Sequence, residues 1–212
     1  PEAVVEEATL PLEGAGEARI RFSHGAGRLE VGAGAPADVL ATGTFRGGVE
    51  RQVQRQGDAL DVHLQVSERG KGVFMPWNWN PSASLDWRVS LNGEVPLALD
   101  FETDAGESRL DLTDLRVTDL RFKTEASSTE IDLPAHAGHT NAKIEGGAAS
   151  VIVRVPAGVA ARIQAQGGLS GVSVDLARFP RMGAVYQSED YASAANRVDL
   201  HMDIGLGSVD VK

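Results

Sequence analysis

The chain has 212 residues, enough for one domain with a buried core or two small ones, and carries a formal net charge of −10. An acid surplus on that scale repels phosphate backbones and anionic headgroups, which argues against nucleic acid as a partner and against simple electrostatic docking on lipid. The absence of cysteine removes disulfides, thiol catalysis and thiolate metal sites, and 24 glycines beside only 3 tryptophans, 2 tyrosines and 6 phenylalanines suggest many tight turns rather than long helices.

The sequence begins Pro1-Glu2-Ala3-Val4-Val5-Glu6-Glu7, without an initiator Met. A fragment processed or excised from a longer chain is therefore expected, with any signal or membrane segment cut away. No apolar run approaches the ~18 residues that span a bilayer. Ala18-Arg19-Ile20-Arg21-Phe22 alternates with period two, as a half-buried strand does. Residues 38–66 read as a small antiparallel meander, with Gly47-Gly48 and Gly57-Asp58 as its tight turns. Leu85-Asp86-Trp87-Arg88-Val89-Ser90-Leu91 is a further alternating strand, and the best helical candidate is short, Glu189 to Ala195.

One pattern then organises the chain. A large apolar residue is followed five positions later by Gly, Ala or Ser and nine positions later by an aliphatic residue. The anchors are Phe22, Phe101, Phe122, Ile144, Ile163 and Met202. Four of them, Phe101 to Ile163, recur at roughly 20-residue intervals, the mark of stacked units that bury their apolar faces against their neighbours. The expected architecture is all-β: a parallel β-solenoid of about 20-residue coils over residues 96–212, preceded by the strands and meander of 1–95 within the same β-domain. Phe101, Phe122, Ile144 and Ile163 are expected in one buried column, and Leu112, Leu133, Val155 and Val174 in another. A leucine-rich repeat is the alternative for the spacing of Leu110, Leu112, Leu115, Val117 and Leu120, but the helical half of such a unit is missing and the next unit has His136 where Leu115 stood.

Phrases such as Val95-Pro96-Leu97-Ala98-Leu99-Asp100, Gly106-Glu107-Ser108-Arg109-Leu110-Asp111-Leu112 and Ala126-Ser127-Ser128-Thr129-Glu130-Ile131-Asp132-Leu133-Pro134 resemble the bacterial toast-rack family. The likeness runs from about Leu10 to Lys212. That family is related to the C-terminal part of LiaF-type cell-wall-stress proteins and to candidate adhesins. The resemblance implies an extracytoplasmic domain at the cell envelope, tethered to the membrane through a segment outside this sequence. It brings no catalytic residues and no cofactor.

Three constellations invite a functional reading. The outward positions Asp111, Asp132 and Arg154 form a charged ladder, with the two carboxylates one strand spacing apart, roughly 4.8 Å. Solenoid enzymes acting on polysaccharides use such acids, whereas the plain alternative is a solvated face relieved by Arg154 and by an Arg109–Glu130 pair. His136 and His139 lie near each other in a turn but lack a third metal ligand. The segment Phe74-Met75-Pro76-Trp77-Asn78-Trp79-Asn80-Pro81 concentrates two indoles between prolines. Phe74, Trp77, Asn78, Trp79 and Asn80 are the candidate binding residues, since indole faces and amides stack on and hydrogen-bond a sugar or meet a protein partner. Capping of the solenoid is the competing role for this loop. The sequence thus points to a non-enzymatic binding module whose partner is an envelope protein or a cell-wall glycan, with self-association open. A carbohydrate-active enzyme using the Asp ladder and a purely structural spacer are the alternatives.

Overall fold

The computed structural model describes residues 4–67 and 85–212, the side chains of 167–170 excepted. Among the described residues there are fourteen strands and no helix. The first part of the chain supplies β1 (Val5–Pro11), β2 (Glu17–His24), β3 (Gly27–Ala33), β4 (Val39–Arg46), β5 (Val49–Gln56), β6 (Ala59–Val66) and β7 (Trp87–Leu91). The second supplies β8 (Leu97–Asp111), β9 (Val117–Asp132), β10 (His139–Arg154), β11 (Ala160–Val174), the short β12 (Arg181–Met182) and β13 (Val185–Gln187), and β14 (Arg197–Val211).

Each long strand is bent in its middle. Along β8 the buried positions are Leu97, Leu99, Phe101 and Thr103, then Ser108 and Leu110, so the inward parity changes between the two sets. The register breaks at the same place: Thr103 faces Thr124 and Ala105 faces Ala126, with Asp104 and Glu125 skipped. One odd residue reverses which side of a strand faces in. The first half of each long strand therefore joins one sheet wall, the second half joins another, and a single apolar core lies between them. β2 pairs with the first half of β8 and β3 with the second, both parallel, so residues 17–33 add one more coil, split at Gly25-Ala26. The fold is a parallel solenoid of two-walled coils. Gly106 shows why the fifth position stays small: its φ is +134°, and a Cβ there would stand 2.0 Å from the carbonyl oxygen of Gly27.

Five of the six repeats stack in register. Phe22, Phe101, Phe122, Ile144 and Met202 form one column across β2, β8, β9, β10 and β14, and every one is fully buried. The Phe22 and Phe101 rings stack at 4.6 Å. The sixth repeat corrects the expectation. β14 is inserted between β10 and β11, with parallel pairing on both sides. Met202 then faces Ala165, and Ile163 faces Leu200, in the column of Leu99, Leu120 and Ala142. Val174 likewise lies beside Val211, away from Leu112, Leu133 and Val155. The displacement is two residues, which keeps the same side of the strand inward, so Ile163 stays buried although its column differs.

The antiparallel part also differs in detail. β5 and β6 form the expected hairpin around Gly57-Asp58, but β4 pairs with β1 and β7 and not with β5. Gly47-Gly48, both at positive φ (91° and 80°), carries the chain from the second wall to the first instead of reversing it within a sheet. The segment Glu189 to Ala195 forms turns, with Asp190 O accepting from the N–H groups of Ser193 and Ala194.

Candidate functional site

The charged ladder stands on the outer face of the second wall. Asp111 faces Asp132, and Arg154 faces Asp132 from the other side. Arg109 bonds Glu130 through Nη1 and places Nη2 2.6 Å from Asp132 Oδ2. Arg154 Nη1 lies 2.9 Å from Glu130 Oε2 and 3.4 Å from Asp132 Oδ1. Asp111 turns aside and accepts the N–H of Thr113. One row along, Arg88, Glu30, Arg109 and Glu130 alternate in sign across β7, β3, β8 and β9. The hydrogen bond from Arg154, with the charge of both arginines, holds the Glu130 carboxyl below its ordinary value. A general acid working at neutral pH needs the opposite shift. The chemistry of this face is charge neutralisation between strands.

A second polar cluster gathers on the first wall. His139 donates through Nε2 to Asp199 Oδ2 at 2.7 Å, and the Tyr191 hydroxyl donates to Asp199 Oδ1 at 2.7 Å. Arg162 lies 4.3 Å over the Tyr191 ring. Burial pushes the Asp199 carboxyl up, but the bonds from Tyr191 and His139 outweigh it and leave the group below its ordinary value. The cluster pins the turn before β14 onto the outer sheet face. His136, exposed in the turn before β10, is not part of it. Nothing in the spacing of His139, Arg162, Tyr191 and Asp199 announced this meeting, because it depends on β14 lying between β10 and β11.

A recess of about 470 Å³ opens where the first coil turns its corner. Its walls include Ser23, His24, Gln65, Val66, Leu85, Glu102 and Asp104. His24 is buried, and its Nε2 lies 2.6 Å from the carbonyl oxygen of Leu85. A carbonyl only accepts, so Nε2 carries the hydrogen and donates it. Burial pushes the imidazole below its ordinary pKa and favours the neutral ring. Ser23 Oγ lies 2.8 Å from His63 Nε2, and the Gln65 amide donates to Glu50. Glu102 and Asp104 also line the recess. The small fifth residue of each repeat marks a bend in the sequence, but the meeting of Ser23, His24, Gln65 and Asp104 at this one follows from the pairing of β2 with β6 and β8.

Val66 and Leu85, on either side of residues 68–84 in the sequence, both line the recess. Phe74, Trp77, Asn78, Trp79 and Asn80 belong to the stretch between and lie outside the described residues. The third tryptophan, Trp87, is a core residue packed edge-on against Phe45 at 5.0 Å, and its Nε1 has no hydrogen-bond partner among the described residues.

Residues 1–154 match the family model described as the N-terminal domain of toast_rack, DUF2154. The crystal structure of a candidate cell adhesion protein from Clostridium sporogenes aligns with a TM-score of 0.88 at 18% identity, covering 99% of each chain. At that identity the likeness shows the fold. A candidate adhesin from Bacteroides fragilis aligns at a TM-score of 0.36 and 7% identity, over 99% of this chain and 97% of its own, which carries no argument. No curated protein matches the chain.

Proposed function

The chain belongs to the toast-rack family, and from that premise we propose that it is a non-enzymatic binding module displayed outside the cytoplasm at the bacterial envelope. Its role is contact with an envelope protein or a cell-wall glycan, in adhesion or in a response to cell-wall stress. The observation that carries this reading is the lining of the recess: it includes Val66 and Leu85, on either side in the sequence of the segment that concentrates Phe74, Trp77 and Trp79. Glu102 and Asp104 offer acceptors to ligand hydroxyls, and indoles offer stacking faces, the usual division of labour at a sugar or peptide site. The full-length likeness in fold to a candidate cell adhesion protein agrees with this role. Of the ladder carboxylates, Asp132 is bonded to both Arg109 and Arg154, as is the neighbouring Glu130, and this supports a non-catalytic reading.

The test is a Trp77→Ala, Trp79→Ala double variant, assayed for binding to purified peptidoglycan and to envelope extracts, with thermal melting measured in parallel. Lost binding at an unchanged melting temperature is expected. Unchanged binding with a lowered melting temperature would make the segment a cap and remove the support for this site.

A further inference from the structure

All the exposed large apolar side chains among the described residues except Leu206, on the interior strand β14, stand at the two ends of the stack. Val4, Val5 and Val53 lie at β1 and β5, while Val172, Leu176, Met182 and Leu206 lie on the last strands or the turn after β11. The ends also hold the free sheet edges, and native proteins blunt such edges with charge, proline or a covering strand. At the first end, β1 carries Glu6, Glu7 and Pro11, and β5 carries Arg51 and Arg55. These edges are tied to each other: Arg51 Nη2 lies 3.4 Å from Glu6 Oε1, and Arg55 Nη1 donates to Glu13 O at 2.7 Å. At the far end, β13 pairs with Arg162 and Ile163 near the start of β11. Among the described residues, the second half of β11 pairs with β14 alone.

Among the described residues nothing covers that last edge. From Ile163 through Val174 the chain carries no charged residue and no proline. The Asp175 N–H bonds Val211 O at 3.0 Å. Backbone direction alternates along a strand, so the N–H and C=O groups of Val172 and Val174 point away from β14. The core is open there too: Val172 is 38% exposed, while its column neighbours Val209 and Val151 are 1% and 0% exposed.

We infer that the second half of β11 is a self-association edge, at which two copies of this chain pair antiparallel about a two-fold axis near Val172. A second copy is the occupant that the charge pattern fits. A two-fold pairing sets each residue opposite the same segment, and like charges placed opposite each other would oppose it. An uncharged edge meets its own copy without that penalty. Val172 then lies beside Val172 of the other copy, and the two cores become continuous through the column of Val151 and Val209. The first end is excluded as the matching surface because its edges are closed by Arg51 and Arg55.

Sedimentation velocity of the chain across micromolar concentrations tests this. Association to twice the 22.4 kDa of one chain is expected. Gly171 and Ser173 are exposed on the outer face of β11, and nothing lies within 4 Å of a Cβ built on Gly171. A Gly171→Lys, Ser173→Lys variant is expected to be monomeric with an unchanged melting temperature. The added lysines reduce the net charge of −10, so a general relief of repulsion would act the other way. Mixing it with a Gly171→Glu, Ser173→Glu variant is expected to restore the dimer, since position 171 of one copy lies opposite 173 of the other. A wild-type chain that stays monomeric, a lysine variant as dimeric as wild type, or a mixture that stays monomeric would each overturn the inference. A strand of another protein as the natural occupant would show itself by the first of these results.

Discussion

Met202 lies beside Ile144 in parallel register, and β14 thereby fills the place next to β10 that chain order would give to β11. The last strand is an interior strand, bonded to β10 on one side and β11 on the other. Met202 is fully buried in the column of phenylalanines. Met202→Ala is expected to lower the unfolding free energy by about 2–5 kcal/mol, read from urea denaturation. A loss below about 1 kcal/mol would fit a frayed terminal strand and not this packing.

Leu133 opens the turn after β9, where its N–H bonds Arg154 O at 2.9 Å and its side chain is wholly buried. Leu133→Asp places a carboxylate among Leu112 and Val155 with nothing to pair it. The expected cost is about 4 kcal/mol or more, against about 2–5 kcal/mol for the cavity left by Leu133→Ala. If the aspartate variant proved as stable as the alanine one in the same denaturation, the site would be wet and the column open.

Gly106 and Gly207 hold the corners at φ +134° and +121°, and a Cβ on either would meet a neighbouring backbone oxygen at 2.0 Å. Gly106→Ala is expected to cost at least about 2 kcal/mol from conformation and collision together. Gly171→Ala, which meets nothing within 4 Å, serves as the control and is expected to stay close to wild type. Equal melting temperatures for the two variants would contradict the corner geometry.

His24 makes stability depend on pH in a defined direction. Burial holds the folded imidazole below the ordinary 6.5, against the weaker opposing pull of Leu85 O, Asp86 and Asp104. The unfolded chain takes up the proton near 6.5 and the folded chain only at lower pH. The stability contributed by the neutral ring is therefore full above about pH 6.5 and is lost as pH falls from there through the folded pKa. His24→Phe keeps a ring against Trp87 and removes the titration. Between about pH 7.5 and 5.5 the wild-type urea midpoint is expected to drop further than that of the variant. Parallel pH profiles for the two proteins would show that His24 is not the group responsible.

The solenoid was legible because its signal is local. Phe101, Gly106 and Leu110 lie within ten residues of one another, and the same offsets return at Phe122, Ser127 and Ile131. Periodicity alone put these side chains inward, and the smallness of the fifth residue marked the bend. The same reading failed for Ile163, since Ile163-Gly168-Val172 obeys the offsets while the true partners in space are Ala165, Ser170 and Val174. Two frames two residues apart both keep an apolar side inward, and only the neighbouring strand chooses between them. Gly47-Gly48 shows the same limit: a glycine pair announces a change of direction, not whether the next strand stays in the same sheet.

The sequence by itself determined an all-β chain built of stacked coils, which residues face inward, and an acidic surface free of thiol chemistry. These follow from alternation, repeat length and composition, which act over a few residues or over the whole chain. The tertiary structure decided that β14 lies between β10 and β11, that His139 meets Tyr191 at Asp199, and that Arg109 and Arg154 share Glu130 and Asp132. It also decided that, among the described residues, one strand half pairs on one side only. Each of these depends on which strand lies beside which. In a parallel sheet many such orders bury the same apolar faces, so the choice is made by the packing of the whole stack.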